Sequence, residues 1–175
     1  MAAQDRYWDT APFLAWLKRE SHRLADVEPV IRAAEIGKVR LITSSVTLVE
    51  VVKLDQKDAA IQVPPEDAET IRQWFLRSFI SLRTFDRPTA TIARQLIWDH
   101  GLKTRDAMHL ATAIRWRVPV LETFDSDDLI PLNGKVGDPL IEIRTPRYDP
   151  APDADSGAVE GLQMGLDFDA EEPPV

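Results

Sequence analysis

What most constrains this chain is an alternation. Short β-branched or aromatic runs recur between stretches whose apolar residues repeat at helical spacing. RYWD (6–9) reads as a short strand, followed by a helical stripe that begins at Phe13, Leu14 and Leu17. Val27, Val30, Ile31 and Ala34 form a second stripe, which Gly37 closes as a C-cap. VRLIT (39–43) is strand-like, and Leu48, Val51 and Val52 continue as helix. Pro64-Pro65-Glu66-Asp67 is a helix start with proline and acids in its first turn, and Ala68, Ile71 and Phe75 supply that helix's apolar face. FISLRTF (79–85) is β-rich. Pro88 opens a helix through Ile92, Ala93, Leu96 and Ile97 that ends near Gly101. LKTRDAMHLATA (102–113) follows, with Ala107, Leu110, Ala111 and Ile114 on one helical face. VPVLET (118–123) and LIEIR (140–144) are again strand-like. Strands alternating with helices specify an α/β domain with a mostly parallel central sheet.

Charge divides the chain in two. Of 29 acids, 21 fall in residues 1–148 together with all 21 Lys and Arg, so that part is neutral and the net charge of −8 belongs to residues 149–175. The sequence thus predicts a folded domain over 1–148 and a disordered acidic tail over 149–175, where four prolines and small residues accompany the acids. Within the tail, Leu162, Met164, Leu166 and Phe168 alternate at period two, a pattern of either a solvated segment or a strand for a sheet edge. The 44% hydrophobic and 29% charged content is that of an ordinary soluble protein. No apolar run approaches the roughly 20 residues of a membrane helix, and MAAQDRYWD has no signal-peptide pattern. The chain has no cysteine, which excludes disulfides, thiolate metal sites and a cysteine nucleophile and fits a cytoplasmic setting. No Gly-x-Ser-x-Gly elbow, phosphate loop or dinucleotide fingerprint occurs.

Acids mark the junctions where strands give way to helices: Asp9 after the first strand, Glu50 after the second, Asp106 in the first turn of its helix, and Asp125, Asp127 and Asp128 after VPVLET. In open α/β sheets such junctions are where ligands bind. Each acid also has a structural explanation. Thr47-Leu-Val-Glu50 fits a capping box, Asp106 complements its helix dipole, and Asp127 and Asp128 can cap DLIPL or stay solvated. Asp9 is harder to explain, because a strand end in a core has little use for an unpaired charge. If the carboxylates converge, they suit hard divalent cations such as Mg²⁺ or Mn²⁺. One or two such ions activate water for attack on a phosphodiester and steady the leaving oxygen. His109, one turn after Asp106, reads as a supporting residue rather than a ligand. Arg105, Arg115 and Arg117 flank the same helix and either meet phosphates or form a solvated face.

Taken in order, RYWDTAPFLAWL, TSSVTLVEV, LKTRDAMHLATA and VLETFDSDDL resemble a PIN-domain protein and, more narrowly, the VapC-type toxins of bacterial and archaeal toxin–antitoxin pairs. The likeness runs from about Tyr7 to Pro146, and Asp-Ala-x-His-Leu-Ala-Thr-Ala is its most specific part. The resemblance implies a small three-layer α/β/α fold and a Mg²⁺- or Mn²⁺-dependent endoribonuclease acting on RNA. Asp9, Glu50 and Asp106 match the family's first three acids, Asp125 the fourth, with Asp128 as second choice. Thr10 and Thr123 match hydroxyls that support the ligands from behind. Members are usually homodimers held inactive by a cognate antitoxin protein. Phe124 stands where a polar residue is common, and Ala11 replaces a small polar residue. The reading from a different class is a non-catalytic binding or regulatory module whose acids serve as caps and dipole partners.

Overall fold

The structure, a computed structural model, describes residues 2–52 and 65–149. Five strands form one sheet: β1 (Gln4–Trp8), β2 (Val39–Ser44), β3 (Ile80–Arg83), β4 (Val120–Glu122) and β5 (Glu142–Arg144), in the order β3-β2-β1-β4-β5. Every pairing is parallel. The helices are α1 (Thr10–Leu17), α2 (Ser21–Glu35), α3 (Thr47–Glu50), α4 (Pro65–Phe75), α5 (Arg87–His100) and α6 (Thr104–Arg115), and Ile130–Leu132 forms a 3₁₀ turn.

Successive strand residues point to opposite faces, and both faces are covered, as a parallel sheet requires. Tyr7, Ile42, Leu121 and Ile143 face a core built with Ala107, Leu110 and Ala111 of α6 and Ala93 and Leu96 of α5. Trp8 and Leu41 face the other way, toward Phe13 of α1, Val27 and Ile31 of α2, and Trp74 and Phe75 of α4. The expected α/β/α layering is therefore present. The chain walks outward from β1 through β2 to β3, then crosses back through α5 and α6 to place β4 on the far side of β1. The order reverses between β1 and β4, and a crevice opens there at the carboxyl ends of the strands.

Local signals explain the element ends. The Asp86 carboxylate caps α5 by accepting from the Thr89 amide at 2.9 Å, and Pro88 fills the first turn. Gly101 ends α5 in the left-handed region at φ 68°. Gly37, at φ 75°, closes α2, its amide bonding Ala34 O.

Two expectations are corrected. The helix after β2 does not run through Val51 and Val52. It is a single turn, Thr47–Glu50, with Leu48, Val49 and Val52 exposed. The strands are also offset or shorter than expected: the first is Gln4–Trp8, leaving Asp9 just beyond it, and the last two hold three residues each. From Pro150 onward, including Leu162–Phe168, the tail lies outside the described residues, as does Pro64.

Candidate metal centre

Asp9 is the first residue beyond β1 and the N-cap of α1, its Oδ1 accepting from the Ala11 amide at 3.1 Å. Its Oδ2 accepts from Thr123 Oγ1 at 2.5 Å across the β1–β4 boundary. The side chain is almost wholly buried. Burial pushes its pKa up to about 6, and the nearby Asp106 charge adds to this, against opposing contributions from His109, Thr123 and Ala11.

Thr123 also organises the β4 loop, its Oγ1 accepting from the Asp125 amide at 3.0 Å. Asp125 Oδ1 then accepts from the amides of Asp127 and Asp128, at 3.0 and 2.9 Å. Asp128 pairs with Lys103, whose Nζ is 2.5 Å from Oδ2. Asp106, in the first turn of α6, completes the group. Asp106, Asp125 and Asp128 each offer a carboxylate oxygen within 4.8 Å of the others. Burial, followed by the charges of Asp125 and Asp128, holds the Asp106 carboxyl above its usual range.

Glu50 reaches the same place from α3. The capping-box reading fails, because the N-cap is Val46 with no side-chain cap bond. Thr47 Oγ1 instead contacts Thr43 Oγ1 at 2.7 Å, and Glu50 Oε2 accepts from Thr10 Oγ1 and lies 2.9 Å from His109 Nε2. Burial would raise the Glu50 pKa. The bonds from His109 and Thr10, with the His109 and Arg105 charges, outweigh it and hold the carboxyl below its usual range. His109 is buried and fixed at its other nitrogen by Tyr7 OH, 2.9 Å from Nδ1. Burial holds the Tyr7 phenol protonated far above its usual range. A phenol donating to Nδ1 leaves Nε2–H to donate to Glu50.

Asp9, Thr10, Glu50, Asp106, His109 and Asp125 thus line one cleft of about 210 Å³. Thr123 stands behind Asp9, and Asp128 beside Asp106 and Asp125. Asp127 is exposed on the loop. Of the three arginines near α6, Arg105 lines the cleft, its Nε 3.4 Å from Glu50 Oε1. Arg115 stacks on Trp116 at the far end of α6, about 15 Å along the axis. Arg117 follows it beyond the helix. Arg23 of α2 also lines the cleft, and nothing in the sequence singled it out, because tertiary packing alone brings α2 there. Tyr7 was equally unmarked: its phenol serves the site from inside what reads as an ordinary core strand.

Comparison with known proteins bears on the whole scaffold. No protein of curated function matches the chain by sequence. Among solved structures, a toxin–antitoxin complex from Klebsiella pneumoniae contains a chain similar to this one, with a TM-score of 0.51 and 22% identity, covering 70% of this chain and 88% of that one. VapC20 of Mycobacterium tuberculosis, a sarcin–ricin loop cleaving toxin, is similar at a TM-score of 0.54 and 16% identity, covering 70% and 91%. These likenesses are of fold. The PIN domain model matches residues 6–131, a span that holds the last three residues of β1, all of β2 to β4 and every carboxylate of the cleft. The chain belongs to the PIN domain family.

Proposed function

We propose that the chain is a divalent-metal-dependent endoribonuclease, a hydrolase of RNA phosphodiester bonds, and the toxin of a toxin–antitoxin pair. The observation that carries this reading is the convergence of Asp9, Glu50, Asp106 and Asp125 on one cleft at the β1–β4 switch point. Carboxylates this close repel one another, and that repulsion adds to burial, the larger cause, in raising the Asp106 and Asp9 pKa values. Glu50 Oε1 is buried with no hydrogen-bond partner. A set of hard oxygen donors with an orphaned carboxylate oxygen fits Mg²⁺ or Mn²⁺.

In this reading Asp9, Asp106, Asp125 and Glu50 hold the ion, with Asp128 beside them. When bound, the ion supplies Lewis acidity toward the phosphate and makes water a stronger nucleophile near neutral pH. The residues themselves do the rest. Thr123 fixes Asp9 and the Asp125 loop in one relative position. Tyr7, His109 and Thr10 orient Glu50. Arg105 and Arg23 bring positive charge to the rim of a cleft that would otherwise repel RNA. Hydrolysis then needs no protein nucleophile and leaves no covalent intermediate.

The Klebsiella pneumoniae neighbour comes from a toxin–antitoxin complex and the Mycobacterium tuberculosis neighbour cleaves RNA, which supports an antitoxin partner and an RNA substrate for this chain. A homodimer and a cytoplasmic setting belong to the same proposal. Among the described residues no helix is long and apolar enough to cross a membrane.

The test is cleavage of a panel of structured and unstructured RNAs with and without Mn²⁺. Cleavage that requires the metal and disappears in Asp9→Asn is expected, and equal cleavage by both proteins would overturn the reading. One observation favours the non-catalytic alternative: Lys103 and Arg105 already pair with Asp128 and Glu50. Calorimetry decides between the two, since a module that uses its acids only structurally takes up no Mn²⁺.

A further inference from the structure

The cleft contains an aromatic ring and a guanidinium that hydrolysis itself does not require. Phe124 and Arg23 both line it, and Arg23 Cζ lies 4.6 Å from the centroid of the Phe124 ring, within cation–π range. Neither group is free to wander. Phe124 sits between Thr123, which holds Asp9, and Asp125, and its ring packs against the core that contains Trp8 and Phe13. Arg23 lies in the first turn of α2, with Nη1 donating to Glu20 Oε2 at 3.2 Å. Both side chains are half-buried. A guanidinium has five N–H donors, and among the described residues that bond is the one the Arg23 guanidinium makes.

The distribution of charge gives this pair a direction. A second cavity, of about 300 Å³, shares Thr10, Ala11, Glu50 and Arg105 with the cleft and ends at Lys18. Cations line both cavities: Arg105 is common to the two, Lys18 belongs to the second, and Arg23 with Phe124 belongs to the cleft that holds Asp9, Asp106 and Asp125. A polyanion laid in either cavity meets positive charge beside the acids. It also meets the guanidinium plane of Arg23, backed by the fixed Phe124 ring. A ring and guanidinium in one stack hold an unstacked base, and the spare N–H groups take its phosphate. A paired base cannot use such a surface, because both of its faces are covered by its neighbours in the helix.

We propose that Phe124 and Arg23 form the subsite that holds an unpaired nucleotide next to the scissile phosphate. The proposal rests on the nuclease reading above. The test uses a short labelled RNA of mixed sequence, single-stranded or annealed to its complement. Binding is followed by fluorescence anisotropy with Ca²⁺, and cleavage with Mn²⁺.

Wild type is expected to bind the single strand about tenfold more tightly than the duplex. Phe124→Leu loses about tenfold of the single-strand affinity, seen as a higher KM with kcat little changed. Its duplex binding and Mn²⁺ affinity stay at the wild-type level, Phe124→Trp restores the preference, and Arg23→Gln weakens it. Single-strand affinity unchanged in Phe124→Leu, an equal loss on duplex, or no rescue by Trp overturns the proposal. A wild type that binds single strands through Phe124 yet cleaves nothing supports the subsite and sinks the nuclease reading. One that cleaves both RNAs regardless of Phe124 does the reverse.

Discussion

Glu50 has two oxygens with different neighbours. Oε2 is held by Thr10 and His109, whereas Oε1 faces Arg105 without a hydrogen bond. The carboxylate is thus aimed by one oxygen and available through the other. His109→Ala removes that aim and strands Tyr7 OH in a buried space. We expect a stability loss of about 2–3 kcal/mol and an Mn²⁺ affinity about tenfold weaker, read by chemical denaturation and calorimetry. Asp106 gives the opposite pairing of effects. Its charge is disfavoured by burial and by Asp125 and Asp128, so Asp106→Asn should raise Tm in EDTA while abolishing metal-dependent cleavage. A Tm that falls instead would mean that Asp106 serves the fold. The sequence displayed these acids because each stands at a strand-to-helix junction. It hid the role of Glu50, because Thr-x-x-Glu is also the spacing of a cap, and only the position of His109, fifty-nine residues away in the chain, decides between the two.

At the scale of elements, the site depends on how α6 is entered. Gly101 takes the left-handed conformation that lets α5 stop and α6 start three residues later. A methyl group there would meet no atom within 4 Å, so the cost of Gly101→Ala is backbone strain alone, about 1–2 kcal/mol. Thermal unfolding should show Tm lower by a few degrees, with Mn²⁺ affinity retained once the protein is folded. Helices with long apolar faces, α2, α5 and α6, were legible in the sequence because burial imposes their period. The turn α3 was not, because its residues serve the site rather than the core: Leu48 and Val49 are exposed, and Thr47 and Glu50 spend their side chains on Thr43, Thr10 and His109. Strand ends escaped for a similar reason, since hydrogen-bond register, not composition, decides where pairing stops.

At the scale of the molecule, one buried charge lies outside the cleft and left no trace in the sequence pattern. Glu122 is fully buried on β4, accepting from Trp8 Nε1 at 2.8 Å and paired at 3.3 Å with Arg6 and with Arg144. Burial outweighs these partners and pushes its pKa up to about 7. A carboxyl whose folded pKa is raised contributes stability that is complete below about pH 4.5 and is lost as pH rises through 7. The loss is roughly 3 kcal/mol. Denaturation in EDTA across that window should show the slope in wild type and its absence in Glu122→Gln, with the contribution of Asp9 common to both. The tail is expected to act through charge. Ending the chain after Asp149 removes seven of its eight acids, and RNA affinity should rise at low salt and converge with wild type at high salt.

The crossover that puts β4 beside β1 also fixes when the cleft can exist. Asp9 and its partner Thr123 are 114 residues apart. A chain emerging from the ribosome exposes Asp9 and Glu50 early, yet has neither Asp106 nor Asp125 to set beside them until most of the domain has been made. Fragments that end before β4 carry three of the four carboxylates but lack Asp125 and the Thr123 hydroxyl that holds Asp9 in place. Synthesis order therefore acts as a delay: the four carboxylates cannot be set beside one another until nearly the whole domain has been made.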